Sequence, residues 1–460
     1  MSGADRSWTI APTILWFGAA LVTAVCILDG GPQAVADRLV AKRTPVAPPA
    51  AGSFAAKPAV VAEPEDDKPP VTPVVAAGPD RSKGLLEDTC LEGTGEACKR
   101  WAMDGFVHAL DAARAGTLGH ALRVSWYGDS VVANDEIPGR LRAKLQGEVG
   151  DGGPGFVYVV EPHRFCQHEA ITRAHTGDWK TYAISTIQIP DGFYGVGGSS
   201  TETGDGKATI KLVAGTASRL ELYYLAQPKG GSAIVTADGT EVVRADTSAE
   251  AKAPGYATAT IEGGAKKLEI TTAGRARMFG IDLENDRGAV VDNLGVVSVN
   301  VKSWANSDAA HWSAELAHRA ADLVVIMIGA NEAQWLGPAD TDTKLYQANY
   351  EKLLAPVRKG RPGASCLVVS PTDQAEAKDG AYPSRPVMPV LVNAQRKAAH
   401  AQGCAFFSTY DWMGGKGSAA KWFARGLVGS DFQHLSKAGA NKLGDAVFAA
   451  LTALGAHAPR

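Results

Sequence analysis

Arg123-Val-Ser-Trp-Tyr-Gly-Asp-Ser130 is the stretch on which the fold turns. Arg123 to Tyr127 reads as a short β-strand and Gly-Asp-Ser as a turn. The helix that follows carries Ile137, Leu141 and Leu145 on one face. A strand running through a tight turn into a helix begins an α/β layer. The rest of the chain continues it. Leu323 to Ile328 is an uninterrupted apolar run, preceded by a helical pattern over Asp308 to Ala320. A helix near Thr343 to Arg358, strand Cys366 to Ser370, a helix near Val387 to Gln402 and strand Cys404 to Phe407 come next. A last helix spans Ser436 to Leu454, with Leu443, Val447 and Leu451 four residues apart. Apolar strands alternating with helices predict a parallel sheet covered on both faces.

Between about Tyr182 and Asp286 the period changes from helical to two. Ile210/Leu212, Leu220/Leu222 and Leu268/Ile270 alternate between Gly-rich turns, which predicts an inserted all-β sandwich. Upstream, Trp8 to Leu28 is a run of 21 residues without charge, long enough for one membrane-spanning helix. A cleaved signal segment is the alternative. Arg6 before the run and Arg38, Lys42 and Arg43 after it leave its orientation open. Thr44 to Asp80 holds nine prolines in 37 positions with one aromatic, Phe54, and reads as a disordered spacer. The expected organisation is therefore 1–43 anchor and flank, 44–84 linker, 85–181 first part of the α/β domain, 182–286 β-insert, and 287–460 second part.

Composition narrows the function. With 46 Lys plus Arg against 49 Asp plus Glu the net charge is −3, which argues against a nucleic-acid binder. Six cysteines include no CxxC pair, and His163, Cys166, His168 and His175 match no zinc spacing, so no metal or cofactor is expected. That region reads as surface loop. Cys90 and Cys98 could close a small disulfide loop, which requires an oxidising compartment. Cys366 and Cys404 read as buried free thiols, unless their strands are parallel neighbours.

Four places on the α/β frame carry chemistry. Ser130 follows a strand at the end where parallel sheets place ligands, and Gly128 before it permits a sharp turn. Taken alone, Gly-Asp-Ser is also ordinary turn chemistry. Asp431-Phe-Gln-His434 spaces a carboxylate and an imidazole by three. The carboxylate can hold one ring nitrogen and leave the other as a general base. A capping aspartate beside a solvated histidine is the plain alternative. Gly329-Ala330-Asn331 ends a strand with an amide side chain able to donate to an oxyanion. Asn293 to Ser298 re-enters the frame after the insert and offers a backbone N–H. No G-x-S-x-G elbow occurs.

Taken in order, these four blocks resemble the SGNH (GDSL-like) hydrolases over roughly Leu122 to Leu454, the insert excluded. The resemblance implies a flavodoxin-like three-layer α/β/α fold with Ser130 as nucleophile, His434 as base and Asp431 orienting it. Asn331, with backbone amides of Ser130 and of Ser298 or Gly295, would bind the oxyanion. There are departures: Ser298 stands where the family has glycine, Glu332 where aspartate is commoner, and Val131 where leucine is usual. GDGGPGF at Gly150–Phe156 and RMFGIDLE at Arg277–Glu284 are similar to bacterial peptidoglycan O-acetylesterases, in which a jelly roll interrupts the catalytic domain. This implies removal of O-acetyl groups from a cell-envelope polysaccharide, by a periplasmic body held on an inner-membrane helix or secreted if that helix is cleaved. An O-acetyltransferase with the same triad, or an inactive glycan-binding protein, are the alternatives. Trp335 reads as a core or rim residue, or as a flank to substrate.

Overall fold

The computed structural model describes residues 81–455. The Trp8–Leu28 run and the linker up to Asp80 lie outside them. Among the described residues no helix is long and apolar enough to cross a membrane.

Six strands build the central sheet: β1 (Leu86–Glu87), β2 (Leu122–Gly128), β3 (Ala289–Gly295), β4 (Leu323–Met327), β5 (Ser365–Val369) and β6 (Ala405–Phe407). Their spatial order is β1-β6-β5-β4-β2-β3. Every neighbouring pair is parallel except β1 with β6. All five residues of β4 are buried, as a strand covered on both faces requires. Its side chains alternate between two cores. Val325 and Met327 join Phe106 of helix α1 (Asp104–Arg114), while α2 (Ser130–Ala133) and α3 (Glu136–Val149) add Val132 and Leu141 to the same layer. Val324 and Ile326 face the other layer, with Leu316 of α4 (Ala309–Arg319), Tyr350 of α5 (Asp340–Gly360) and Leu391 of α6 (Met388–Ala401). Two short helices, α7 (Thr409–Met413) and α8 (Ser418–Ala424), lead to α9 (Lys437–Gly455), which packs Leu443, Val447 and Leu451 on the first layer.

The antiparallel region between β2 and β3 comprises two sheets. One orders strands 253–265, 217–226, 276–284, 199–203 and 180–183, with 155–157 paired to 276–284. The other orders 240–246, 232–237, 267–273, 206–212 and 171–177. Leu220, Leu222, Ile281 and Leu283 of the first share a core with Ile210, Val235, Leu268 and Ile270 of the second. Antiparallel pairing thus begins at Gly155, upstream of the expected 182. The early strands lack the signal: Ile171–Gly177 fully buries Ile171 alone, so no period of two is visible.

Two readings are corrected. Cys366 and Cys404 form a disulfide, because β5 and β6 are parallel neighbours and bring the two Cα atoms to 4.6 Å. Cys90 and Cys98 form another. The stretch around His163 is not all surface loop, since Cys166 and His168 are buried. His168 lies 3.8 Å from Asp135, which is itself ion-paired to buried Arg142. Burial pushes the His168 pKa down to about 3.

Insert and frame are joined by buried charge. Arg319 donates to both oxygens of Asp292 in β3 (2.9 and 2.8 Å), to Asp282 (3.2 Å) and to Glu284 (2.7 Å). Arg123 of β2 clasps Glu284 as well, at 2.8 and 2.6 Å. Asp282 and Glu284 are the acidic end of the RMFGIDLE strand, so this motif serves as the clamp between the two parts.

Candidate active site

The carboxyl ends of β3, β2 and β4 lie in register. Gly295 and Met327 both sit opposite Gly128. The loops leaving these three strands therefore converge at one crevice, where open parallel sheets hold ligands. Gly128 is there for space rather than for a turn. A Cβ at Gly128 would lie 2.2 Å from Val132, so glycine lets α2 pack against the strand end.

Ser130 opens α2 behind the cap residue Asp129. Asp129 is buried; one oxygen accepts the Val131 amide at 3.0 Å and the other the Ala330 amide at 3.2 Å. It thereby ties the serine turn to the Gly329-Ala330-Asn331 loop. Burial pushes its pKa up to about 6 against those two hydrogen bonds.

Ser130 Oγ lies 2.8 Å from His434 Nε2, and His434 Nδ1 lies 2.6 Å from Asp431 Oδ2. The serine comes from the start of the frame and the histidine from the turn before α9. The other Asp431 oxygen accepts the amides of Gln433 and His434, both at 3.0 Å. Partial burial works against the Asp431 carboxylate, but these amides and the imidazole outweigh it and hold its pKa below the usual range. The turn closes because Phe432 takes a left-handed φ of 55°, uncommon for a bulky residue. Its ring is fixed between Tyr382 and Phe423, at centroid distances of 4.6 and 4.8 Å, which holds that backbone in place.

The oxyanion candidates separate. Asn331 Nδ2 donates to the Val299 carbonyl at 2.7 Å, using one of its two N–H groups. Ser298 adopts a φ of 64°, the left-handed region that favours glycine, which matches its place at a glycine position of the family. Gly295 does not serve as a donor. Its amide is taken by Asn293 Oδ1 at 3.1 Å, and a Cβ on it would meet the Ala133 backbone at 2.5 Å. It is a packing glycine of β3.

Glu332 is a residue beside the site that the sequence flagged only as a departure. It is fully buried, and one oxygen accepts the Val301 amide at 2.7 Å. The other oxygen has no hydrogen-bond partner. Burial pushes its pKa up to about 7. With Asn331 bound to Val299 and Glu332 to Val301, two adjacent side chains hold the loop that presents Ser298. No local pattern announces such a strut, because Val301 and Glu332 meet only in the folded sheet.

A parallel sheet with a serine, an imidazole and a carboxylate hydrogen-bonded in line at its strand ends is the architecture of an α/β hydrolytic enzyme. Residues 262–442 match the model of the GDSL-like lipase/acylhydrolase family. Among solved structures, a peptidoglycan O-acetylesterase is similar at 25% identity with a TM-score of 0.67, over 82% of this chain and 100% of that one. An acetyl xylan esterase (16% identity, TM-score 0.27, 35% and 80% covered) and a family two carbohydrate esterase from Clostridium thermocellum (10%, 0.26, 60% and 99%) also align. No curated protein matches. The matched segment, the fold and this likeness together support an esterase of the SGNH (GDSL-like) type.

Proposed function

We propose that this enzyme removes O-acetyl groups from peptidoglycan or another cell-envelope polysaccharide through a Ser130–His434–Asp431 acyl-enzyme mechanism. The observation that carries the reading is the unbroken hydrogen-bonded line from Asp431 through His434 to Ser130. Asp431 accepts the Nδ1–H of His434 and so leaves Nε2 as the acceptor for the serine proton. Ser130 Oγ attacks the acetyl carbonyl as His434 takes its proton. The developing oxyanion is received by the amides of Ser130 and Ser298 and the second N–H of Asn331. His434 then protonates the leaving sugar oxygen. Water, deprotonated by the same imidazole, releases acetate from Ser130.

The acetylated-glycan substrate is supported by the likeness to the peptidoglycan O-acetylesterase. The β-insert, a jelly-roll module in this reading, would hold the glycan. The two disulfides support an extracytoplasmic body. In that arrangement Trp8–Leu28 anchors it and the Pro-rich spacer gives it reach. The test is acetate release from O-acetylated peptidoglycan by the full-length protein, with and without an added sugar acceptor. Release independent of acceptor is the expected result. Acetyl transfer in place of release would make the protein an acetyltransferase, and no acetate from either assay would defeat the reading.

A further inference from the structure

Trp335 is 52% exposed, unusual for the largest apolar side chain of an enzyme surface. It stands four residues beyond Asn331, at the end of the 332–334 turn, with its amide bonded to the Glu332 carbonyl. The Lys302 ammonium lies over its ring, 5.3 Å from the centroid. Both side chains line a cavity of about 150 Å³ with Asp342 and Asn349. A second cavity of about 300 Å³ shares Lys302 and Asn349 and extends to Lys352. The two form one trough along α5.

This trough adjoins the loops that carry the site residues. Its walls are the 299–302 and 332–336 loops, which Asn331 and Glu332 pin together. On its other side the 332–334 turn reaches the histidine loop, where Gln334 Nε2 donates to Gln433 Oε1 at 3.0 Å. An indole face beside amide and ammonium groups suits a sugar, which has an apolar C–H face and a hydroxylated rim. The charge adds a second requirement. Neither Lys302 nor Lys352 makes an ion pair among the described residues; Asp342 in the trough and buried Glu332 are the carboxylates facing Lys302, and no carboxylate lines the end that holds Lys352.

We infer that this trough is a sugar subsite for an anionic glycan, with Trp335 as the stacking platform and Lys302 and Lys352 receiving a carboxylate of the unit next to the acetylated one. The inference rests on the esterase reading for its place in catalysis, but its binding can be measured separately. The probe is a set of soluble O-acetylated peptidoglycan fragments with free carboxylates, and the same fragments with those carboxylates amidated. In Trp335→Ala the ratio of kcat/KM for the fragments to that for nitrophenyl acetate should fall about tenfold, mainly through KM. Lys302→Gln should lower that ratio several-fold for free-carboxylate fragments only, and Lys302→Arg should restore it. Equal losses on nitrophenyl acetate for either variant, or an equal loss on amidated fragments for Lys302→Gln, would overturn the assignment. A calorimetric titration of Ser130→Ala protein separates the two readings. If the fragments bind it and an added Trp335→Ala weakens binding about tenfold, the subsite stands even where no ester is cleaved. Binding indifferent to Trp335 and Lys302 would end the proposal.

Discussion

Asp129 and Asp431 each accept two backbone amides, and each holds one half of the proposed triad, but they work in opposite surroundings. Asp129 is 1% exposed and its pKa is raised, whereas the side chain of Asp431 is 52% exposed and its pKa is lowered. The nucleophile's turn is thus part of the core, tied by a buried carboxylate to the neighbouring strand end. The base is set by a four-residue turn in contact with water. Burial gives the first side a rigidity that costs desolvation. The second side keeps its carboxylate ionised by hydrogen bonds within one turn, with little help from the core. Substitution of Asp129 should therefore change stability and rate together, and substitution of Asp431 rate alone.

Ser130→Ala removes the nucleophile at a half-buried surface position, so it gives the sharpest separation. Hydrolysis of nitrophenyl acetate should fall by about 10⁶-fold, while the unfolding free energy moves by about 0.5 kcal/mol or less. A variant retaining the wild-type rate would remove Ser130 from the mechanism. Asp431→Asn should cost about 10³–10⁴ in kcat, because the amide favours the wrong tautomer of His434, with melting temperature nearly constant. Near-normal turnover there would return Asp431 to the role of a turn-closing residue.

Arg319→Met tests buried charge of the purely structural kind. Leaving Asp282, Glu284 and Asp292 without their shared guanidinium should destabilise by about 3–5 kcal/mol in chemical denaturation. Arg244→Ala, which breaks an exposed pair with Glu241 at 2.7 Å, should cost about 1 kcal/mol or less. Equal effects would mean that burial is not what gives the frame–insert clamp its weight.

The smallest effect concerns Glu332 and pH. Its folded pKa, about 7, lies above the ordinary glutamate value, so the folded state binds the extra proton. Its contribution to stability is present below about pH 4.5 and is lost as pH rises through 7. Asp129, raised to about 6, acts in the same direction. In Glu332→Gln the decline of melting temperature between pH 5 and 8 should be shallower than in the wild type. A steeper or unchanged decline would show that the unpaired oxygen of Glu332 is not the cause.

Much of the frame was legible because its strands are continuous apolar runs and its helices have clear faces. β4, α6 and α9 fall within one residue of where Leu323–Ile328, Val387–Gln402 and Ser436–Leu454 placed them. Ser130, Asp431, His434 and Asn331 could be read because each stands beside a strand end or a helix start. What escaped was long-range. Whether Cys366 bonds Cys404 depends on strand order, Glu332 reaches Val301 only across two loops, and Gly295 loses its amide to Asn293 by a choice of rotamer. Ile171–Gly177 was hidden by polar residues on both faces, and Gly155–Val157 by its three-residue length.

The separation of 304 residues from Ser130 to His434 sets a schedule for the chain. A polypeptide made from its N-terminus carries the proposed nucleophile long before the proposed base, which follows 304 residues later. Throughout that interval the serine has no imidazole to take its proton. A prematurely terminated product that ends before Asp431 is an unarmed scaffold. In the proposed mechanism activity therefore begins only after Asp431 and His434 have been added and folded onto the sheet, which keeps the enzyme silent until then.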